Sequence, residues 1–178
     1  MKRLLKAFAT LAAGAVTALA GLAQAQPMDP CALMRKADLE TVLSRNFEAG
    51  IAGPVQAGTA KRAAVASCTY TSPAPQPRDL LSVSFMVRRS PEGMKGISLE
   101  TAKAGAAQFK ATPVDVPGLG DGAYWINLNT ETSPNYQLNV MAGGGRYWLI
   151  VSTFGMRLEP AKAIPMLSTL ARTAVSRL

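Results

Sequence analysis

The sequence predicts an α+β fold in which a mainly antiparallel sheet carries an N-terminal, a middle and a C-terminal helix on one face. Three observations lead to this prediction. Apolar and polar residues alternate over residues 80–89, as they do in a half-buried strand. Most predicted strands follow one another through short turns, such as Gly143-Gly144-Gly145, and short turns join antiparallel strands. Helical segments flank and separate the strand-rich stretches.

Helix signals mark three segments. Asp29 can cap a helix and Pro30 has φ preset for its first turn, so we predict a helix over residues 31–44 with a break near Arg35. Ser98 is the predicted cap of a second helix, over residues 98–110. A 3.6-residue apolar stripe predicts the third helix over residues 158–178. Pro165 removes one hydrogen bond there and should kink the helix or mark its start.

The strands are predicted from their two-residue period. Residues 64–71 alternate so that Cys68 points toward the core, and residues 51–59 could form a short edge strand. The remaining strands are expected over residues 80–89, 122–129, 136–141 and 146–153. The last strand is the most apolar, and we therefore expect it at the centre of the sheet.

The chain begins with a predicted cleavable signal peptide, residues 1–25. Its start is basic, through Lys2, Arg3 and Lys6. An uncharged run rich in Ala, Leu and Val follows, and Ala23-Gln24-Ala25 has small residues at the two positions that a signal peptidase reads. The apolar run is shorter than the roughly 20 residues that cross a bilayer. We therefore expect no transmembrane anchor after cleavage and a periplasmic or secreted protein.

Cleavage changes the size and the charge of the chain. Of the 178 residues, 153 would remain, enough for a single α+β domain over residues 26–178. The formal net charge would fall from +8 to +5, because three basic residues leave with the signal peptide. The mature protein is therefore expected to be only modestly basic.

The only two cysteines, Cys31 and Cys68, are expected to form a disulfide, because an exported protein folds in an oxidising compartment. This bond would attach the first helix to the sheet. In the chain-entropy account, closing a loop of this length stabilises the fold by about 4 kcal/mol. The chain has no Cys-x-x-Cys motif, so a redox function is not expected.

Three fragments together resemble those of a known group of proteins. They are Pro30-Cys31-Ala32-Leu33-Met34, Ser67-Cys68-Thr69-Tyr70 and residues 116–125, with the sequence VPGLGDGAYW. In this order they resemble secreted bacterial proteins of unknown function, best known as actinobacterial lipoproteins that open with Pro-Cys-x-Leu. The resemblance implies a small α+β domain with paired cysteines, and it implies no reaction. This chain lacks the lipidated Cys of that group and has Arg35 where Thr or Ser often follows the opening.

The absence of histidine restricts the possible chemistry. It removes the commonest general base and the commonest zinc ligand, and it excludes Ser-His-Asp and Cys-His nucleophiles. We therefore assign no catalytic residue, no metal site and no cofactor. A carboxylate pair among Asp115, Asp121 and Glu131 is the remaining enzymatic alternative, although the sequence spacing does not bring these residues together.

Two further motifs are interpreted as structural. Gly118-Leu119-Gly120-Asp121-Gly122 precedes a strand instead of a helix, so we predict a turn and not a phosphate-binding loop. The basic pairs Lys61-Arg62 and Arg88-Arg89 are far apart in the chain and are predicted to be solvated and not stacked on aromatic rings. No nucleic-acid partner is therefore expected, while weak attraction to anionic envelope polymers or lipid head groups remains an alternative.

Two aromatic pairs provide the candidate binding surface. Adjacent strand residues point to opposite faces, so one member of Tyr124-Trp125 and one of Tyr147-Trp148 could leave the core. If the two outward rings lie on neighbouring strands, they form a platform with Arg146 close by. The alternative is that a second helix layer buries this face.

The sequence thus favours a non-catalytic exported module that binds an envelope protein or a small ligand through its sheet. Two alternatives are a carboxylate-dependent envelope enzyme and a structural or stress-related factor that associates with itself. The sequence makes no prediction of the ligand or of the oligomeric state.

Overall fold

A computed structural model describes residues 28–76, 79–130 and 134–178. The predicted signal peptide and Glu131 lie outside these residues. The helices are α1 (Pro30–Leu33), α2 (Lys36–Leu43), α3 (Leu99–Ala106), continued by a 3₁₀ turn over Ala107–Phe109, and α4 (Pro160–Val175). The strands are β1 (Ile51–Ala52), β2 (Ala64–Ser72), β3 (Leu81–Arg89), β4 (Val114–Asp115), β5 (Gly122–Asn127), β6 (Tyr136–Ala142) and β7 (Tyr147–Phe154).

The seven strands form one sheet in the order β1-β2-β3-β7-β6-β5-β4. Every pair of neighbouring strands is antiparallel, so the prediction of an α+β fold with a mainly antiparallel sheet is confirmed. β7 is the central strand, as its apolar sequence predicts. The two edge strands, β1 and β4, are each only two residues long.

The main core lies between one face of the sheet and the helices α1, α2 and α4. The inward residues of β3 are fully or almost fully buried, as the alternation predicts: Leu81, Val83, Phe85 and Val87. On the helical side, α4 contributes the buried stripe Ala163, Leu167, Leu170, Ala171 and Ala174. Pro165 lies inside α4 on its exposed side and does not mark the start of the helix.

The prediction that all helices pack on one face of the sheet is wrong for the middle helix. α3 lies on the opposite face, where Ala102 and Ala106 form a second, smaller core with Tyr124, Ile126 and Met141. Strand periodicity identifies the two faces of a sheet, but it does not determine on which face a connecting helix returns.

The first helix is attached to the sheet by the predicted disulfide between Cys31 and Cys68. Asp29 caps α1 through the backbone N–H groups of Cys31 and Ala32, as predicted. The Tyr70 hydroxyl, next to the disulfide on the same face of β2, donates to the carbonyl oxygen of Met34. Among the described residues, no helix has the length and apolar character needed to cross a bilayer.

Candidate binding groove

The five residues of the predicted aromatic surface do not lie together. Tyr124 and Trp148 point to the face of α3, whereas Trp125 and Tyr147 pack against the main core on the other face. β6 separates β5 from β7, so the two aromatic pairs are not on neighbouring strands. The predicted two-ring platform is therefore not formed.

Tyr124 is buried beneath α3 with only 2% of its surface exposed. Its hydroxyl donates to the carbonyl oxygen of Ala102 at 2.9 Å, and burial raises its pKa to about 12. The alternative of burial by a second helix layer, considered for this face, is thus correct at Tyr124. It is not correct at Trp148, which is only partly buried.

The other two aromatic residues of the predicted surface, Trp125 and Tyr147, belong to the opposite face. Trp125 packs edge-on against Tyr136 with ring centroids 6.0 Å apart, beside the main core. The Arg146 guanidinium lies over the Tyr147 ring, 5.9 Å from its centroid. Arg146 therefore does not accompany Trp148, whose cationic neighbour is Arg88 at 6.0 Å.

An open groove of about 490 Å³ lies beside α3 on the same face as Trp148. α3 has eight residues and covers only the β5 side of the sheet, and the 3₁₀ turn ends the helical segment at Lys110, which adopts a left-handed conformation. Among the described residues, no α-helix packs across β2, β3 and β7 on this face. The groove is lined by Ser67, Ser84, Met86, Ala102, Gly105, Ala106, Gln108, Phe109, Tyr124, Ile126, Gln137, Trp148, Ile150 and Ser152.

The floor of the groove is built by cross-strand rows of side chains. Ser84 pairs with Ser152 and Met86 with Ile150 across the β3–β7 ladder. Directly paired residues on one face of an antiparallel sheet are about 5 Å apart at Cβ. Rows of hydroxyl side chains and rows of apolar side chains thus alternate along the strands that form the floor. None of the described residues that line the groove carries a charge.

The Trp148 indole is held in a fixed orientation at one end of this floor. Its Nε1 donates to Oδ1 of Asn139 at 3.2 Å, and the Gln137 amide donates to the same oxygen at 3.1 Å. Because the indole can only donate, the Asn139 oxygen must face it. The Asn139 amide nitrogen is fully buried and has no hydrogen-bond partner among the described residues. Asn139 is itself fully buried and does not line the groove, so its contribution there is to orient the Trp148 indole.

One wall and one rim complete the groove. Gly105 forms part of the wall, and a Cβ added there would meet no atom within 4 Å outside its own helix. Phe109 forms the rim and is 61% exposed. Ligand sites typically combine a mostly apolar lining with a few placed polar groups in a volume of about 300–1,000 Å³, and this groove has these properties.

The carboxylates of the enzymatic alternative are used in structural contacts. Asp115 is exposed and forms an ion pair with Lys103 at 2.6 Å, which raises the pKa of that lysine. Asp121 accepts a hydrogen bond from the Gly145 backbone at 3.1 Å. Neither residue lines the groove, and Glu131 is not among the described residues. No group of three potential metal-ligating His, Cys, Asp or Glu side chains occurs in residues 28–76, 79–130 and 134–178.

Sequence reasoning identified Trp148 but missed the other floor residues, such as Met86, Ile150 and Ser152. The alternation of β3 and β7 places them on the face opposite the main core, so that signal was present. The groove is open because α3 is short and lies at one side of this face. The sequence pattern predicted neither the face on which α3 packs nor the residue at which it ends. The predicted turn at Gly118–Gly122 is confirmed, with positive φ at Gly118 and Gly120.

No protein-family model, curated protein sequence or solved structure matches this chain.

Proposed function

We propose that this chain is an exported, non-catalytic binding protein that holds a small, neutral and largely apolar ligand in the groove beside α3. The observation that carries the proposal is the uncharged groove floor, where the oriented Trp148 indole lies beside Met86 and Ile150. A fixed aromatic ring offers a large contact area with little loss of conformational entropy on binding.

The lining also indicates the polarity of the ligand. Apolar side chains contribute most of the floor, while the Ser67, Ser84 and Ser152 hydroxyls and the Gln137 amide offer hydrogen bonds. The Arg88 guanidinium lies over the Trp148 ring but is not part of the lining, so a charged ligand group in the groove would lose hydration without a charged partner among the lining residues. We therefore favour a neutral ligand with an aromatic or aliphatic body and one or two hydrogen-bonding atoms.

Fluorescence of Trp148 provides the test. The variant Trp125→Phe leaves Trp148 as the only indole, since the chain has two tryptophans. N-phenyl-1-naphthylamine, a neutral apolar dye, is the probe. We expect saturable quenching of Trp148 with a matching increase in dye emission, because the dye would lie against the ring. Dye binding without a response from Trp148 contradicts the proposal.

A blocking variant with a matched control locates the binding. Gly105→Leu places a side chain in the open space beside the groove and improves helix propensity, so the fold is retained. Ala161→Leu makes a similar change on the exposed side of α4. In the Trp125→Phe background we expect Gly105→Leu to weaken dye binding at least tenfold and Ala161→Leu to leave it unchanged. Equal binding by both variants excludes the groove as the site.

Export requires a separate measurement. The full-length chain, expressed in a Gram-negative host, is expected in the periplasmic fraction with Gln26 as its N-terminal residue, because Ala23 and Ala25 fit the peptidase. A chain that stays in the cytoplasm with residues 1–25 attached contradicts the export part of the proposal and leaves the groove to be judged by the dye experiment.

A further inference from the structure

A second cavity, of about 640 Å³, lies at the end of the sheet where β2 begins, β3 ends and β7 begins. Three arginines from separate parts of the chain line it: Arg62, Arg89 and Arg146. Glu92 is the single acidic residue among the described residues of the lining. The chain separation of these arginines predicts dispersed, solvated charges, but the fold gathers them around one cavity.

The arginines are carried by well-anchored backbone. Arg62 follows the tip of a hairpin in which Thr59 and Arg62 exchange backbone hydrogen bonds of 2.9 and 3.2 Å. Arg146 follows the glycine turn, and its carbonyl oxygen accepts from the Ser90 backbone at 2.8 Å. Its guanidinium carbon lies 5.9 Å from the centroid of the Tyr147 ring, within the range of a cation–π contact. Such a contact restricts the arginine side chain, which reduces the entropy lost when it binds a ligand.

The charges and the remaining lining indicate the ligand class. The described residues that line the cavity include three arginines and one glutamate, which sum to a formal charge of +2. A phosphate monoester carries about −1.5 to −2 at neutral pH, and arginine binds phosphate oxygens in a bidentate manner. The lining also includes apolar residues beside the arginines, namely Met28, Val55, Ala57, Ala60, Ala64, Ala66 and Pro91. An organic group attached to the phosphate can contact these residues.

We propose that this cavity is a binding site for a phosphate monoester that carries a small apolar group. The site is independent of the groove beside α3. Arg89 and Tyr147 lie on the face of the main core, whereas Trp148 and the groove lie on the other face. A ligand in one site therefore does not occupy the other.

Calorimetric titration of the mature protein with phenyl phosphate tests the site, with inorganic phosphate as the second probe. We expect phenyl phosphate to bind more tightly than inorganic phosphate, because only the ester contacts the apolar lining. Arg62→Gln and Arg146→Gln should each weaken binding by about tenfold or more, the effect of losing a charge-assisted hydrogen bond. Both residues are exposed, so the fold should be retained, and circular dichroism checks it.

Arg172→Gln is the matched control, since Arg172 is an exposed arginine on α4 outside the cavity. It removes the same charge and should leave binding unchanged. The proposal is overturned if the unaltered protein does not bind phenyl phosphate, if either cavity variant binds normally, or if Arg172→Gln weakens binding as much as they do. The last result would show only general attraction of anions to a basic protein.

Flotation with phosphatidylcholine vesicles, with and without phosphatidic acid, identifies the source of the phosphate. Binding to phosphatidic acid vesicles that Arg62→Gln abolishes supports a lipid headgroup as the ligand. Binding of phenyl phosphate without vesicle binding supports a soluble phosphate ester. Gly105→Leu should change neither phenyl phosphate binding nor vesicle binding. The proposal for the groove and the proposal for this cavity can therefore fail independently of each other.

Discussion

Single residues at the α1–α2 junction connect the two ends of the described chain. The Arg177 guanidinium, next to the C-terminus, donates to both carboxylate oxygens of Asp38 and to the Leu33 carbonyl oxygen. The Arg35 backbone N–H donates to the same carboxylate at 2.8 Å. The hydrogen bond from Arg177 is the largest cause that lowers the pKa of Asp38 below its ordinary value of 3.8. Both side chains are largely shielded from solvent, which strengthens the pair relative to a surface salt bridge.

Asp38→Asn should therefore destabilise the protein in a pH-dependent manner. A carboxylate with a lowered folded pKa stabilises the fold above its unfolded pKa, and this contribution is lost as the pH falls from about 4 toward the lower folded value. At pH 7 we expect the variant to lose about 1.5–3 kcal/mol of unfolding free energy. Below the folded pKa the two proteins should be similarly stable. Urea unfolding at several pH values measures the difference.

Glu48→Gln provides the control for this effect, because Glu48 is exposed on the surface. Its substitution should change the unfolding free energy by less than about 0.5 kcal/mol at any of these pH values. A loss in Asp38→Asn that is the same at pH 7 and at pH 3 would show that the carboxylate acts through its shape and not through its charge.

At the scale of elements, most of the fold could be predicted because each element has a local signal. Alternation located β2 and β3 to within one residue, and Asp29-Pro30 located the start of α1. The break near Arg35 was also predictable, and it lies between α1 and α2. The end of α3 was less predictable. Residues 107–110 have helical composition, but they form a 3₁₀ turn that ends at the left-handed Lys110.

Pro165 gives a prediction for α4. The residue occupies the exposed side of the helix, so it packs against little, and its missing N–H removes one helical hydrogen bond. Pro165→Ala should therefore stabilise the protein, by up to about 3 kcal/mol if the helix straightens without disturbing the buried stripe. Chemical denaturation measures the gain. Thr169→Ala, one turn later on the same side, removes only the hydroxyl contact to the Pro165 carbonyl and should have a small effect.

At the scale of the whole molecule, the two candidate sites depend on features that the sequence pattern does not contain. The groove exists because α3 returns on the face opposite the other helices and covers only part of it. The second cavity exists because a hairpin tip, a strand end and a glycine turn meet at one end of the sheet. Both are long-range consequences of topology, whereas periodicity and capping report only local conformation. Trp148 could be singled out from the sequence, but its partners could not.

The Cys31–Cys68 disulfide joins α1 in the helix layer to β2 in the sheet. We expect its removal to lower the stability of the whole protein. The bond spans 37 residues and constrains the unfolded chain, so reduction should cost about 4 kcal/mol in the chain-entropy account. Comparing urea unfolding of the oxidised protein and of the reduced protein isolates this effect, because both keep the sulfur atoms. Cys31→Ala with Cys68→Ala should lose more, since Cys68 is fully buried and its loss also leaves a cavity. Equal stability of the oxidised and reduced proteins would mean that the hydrogen bond from Tyr70 to Met34, together with the packing around it, is sufficient to hold α1 on the sheet.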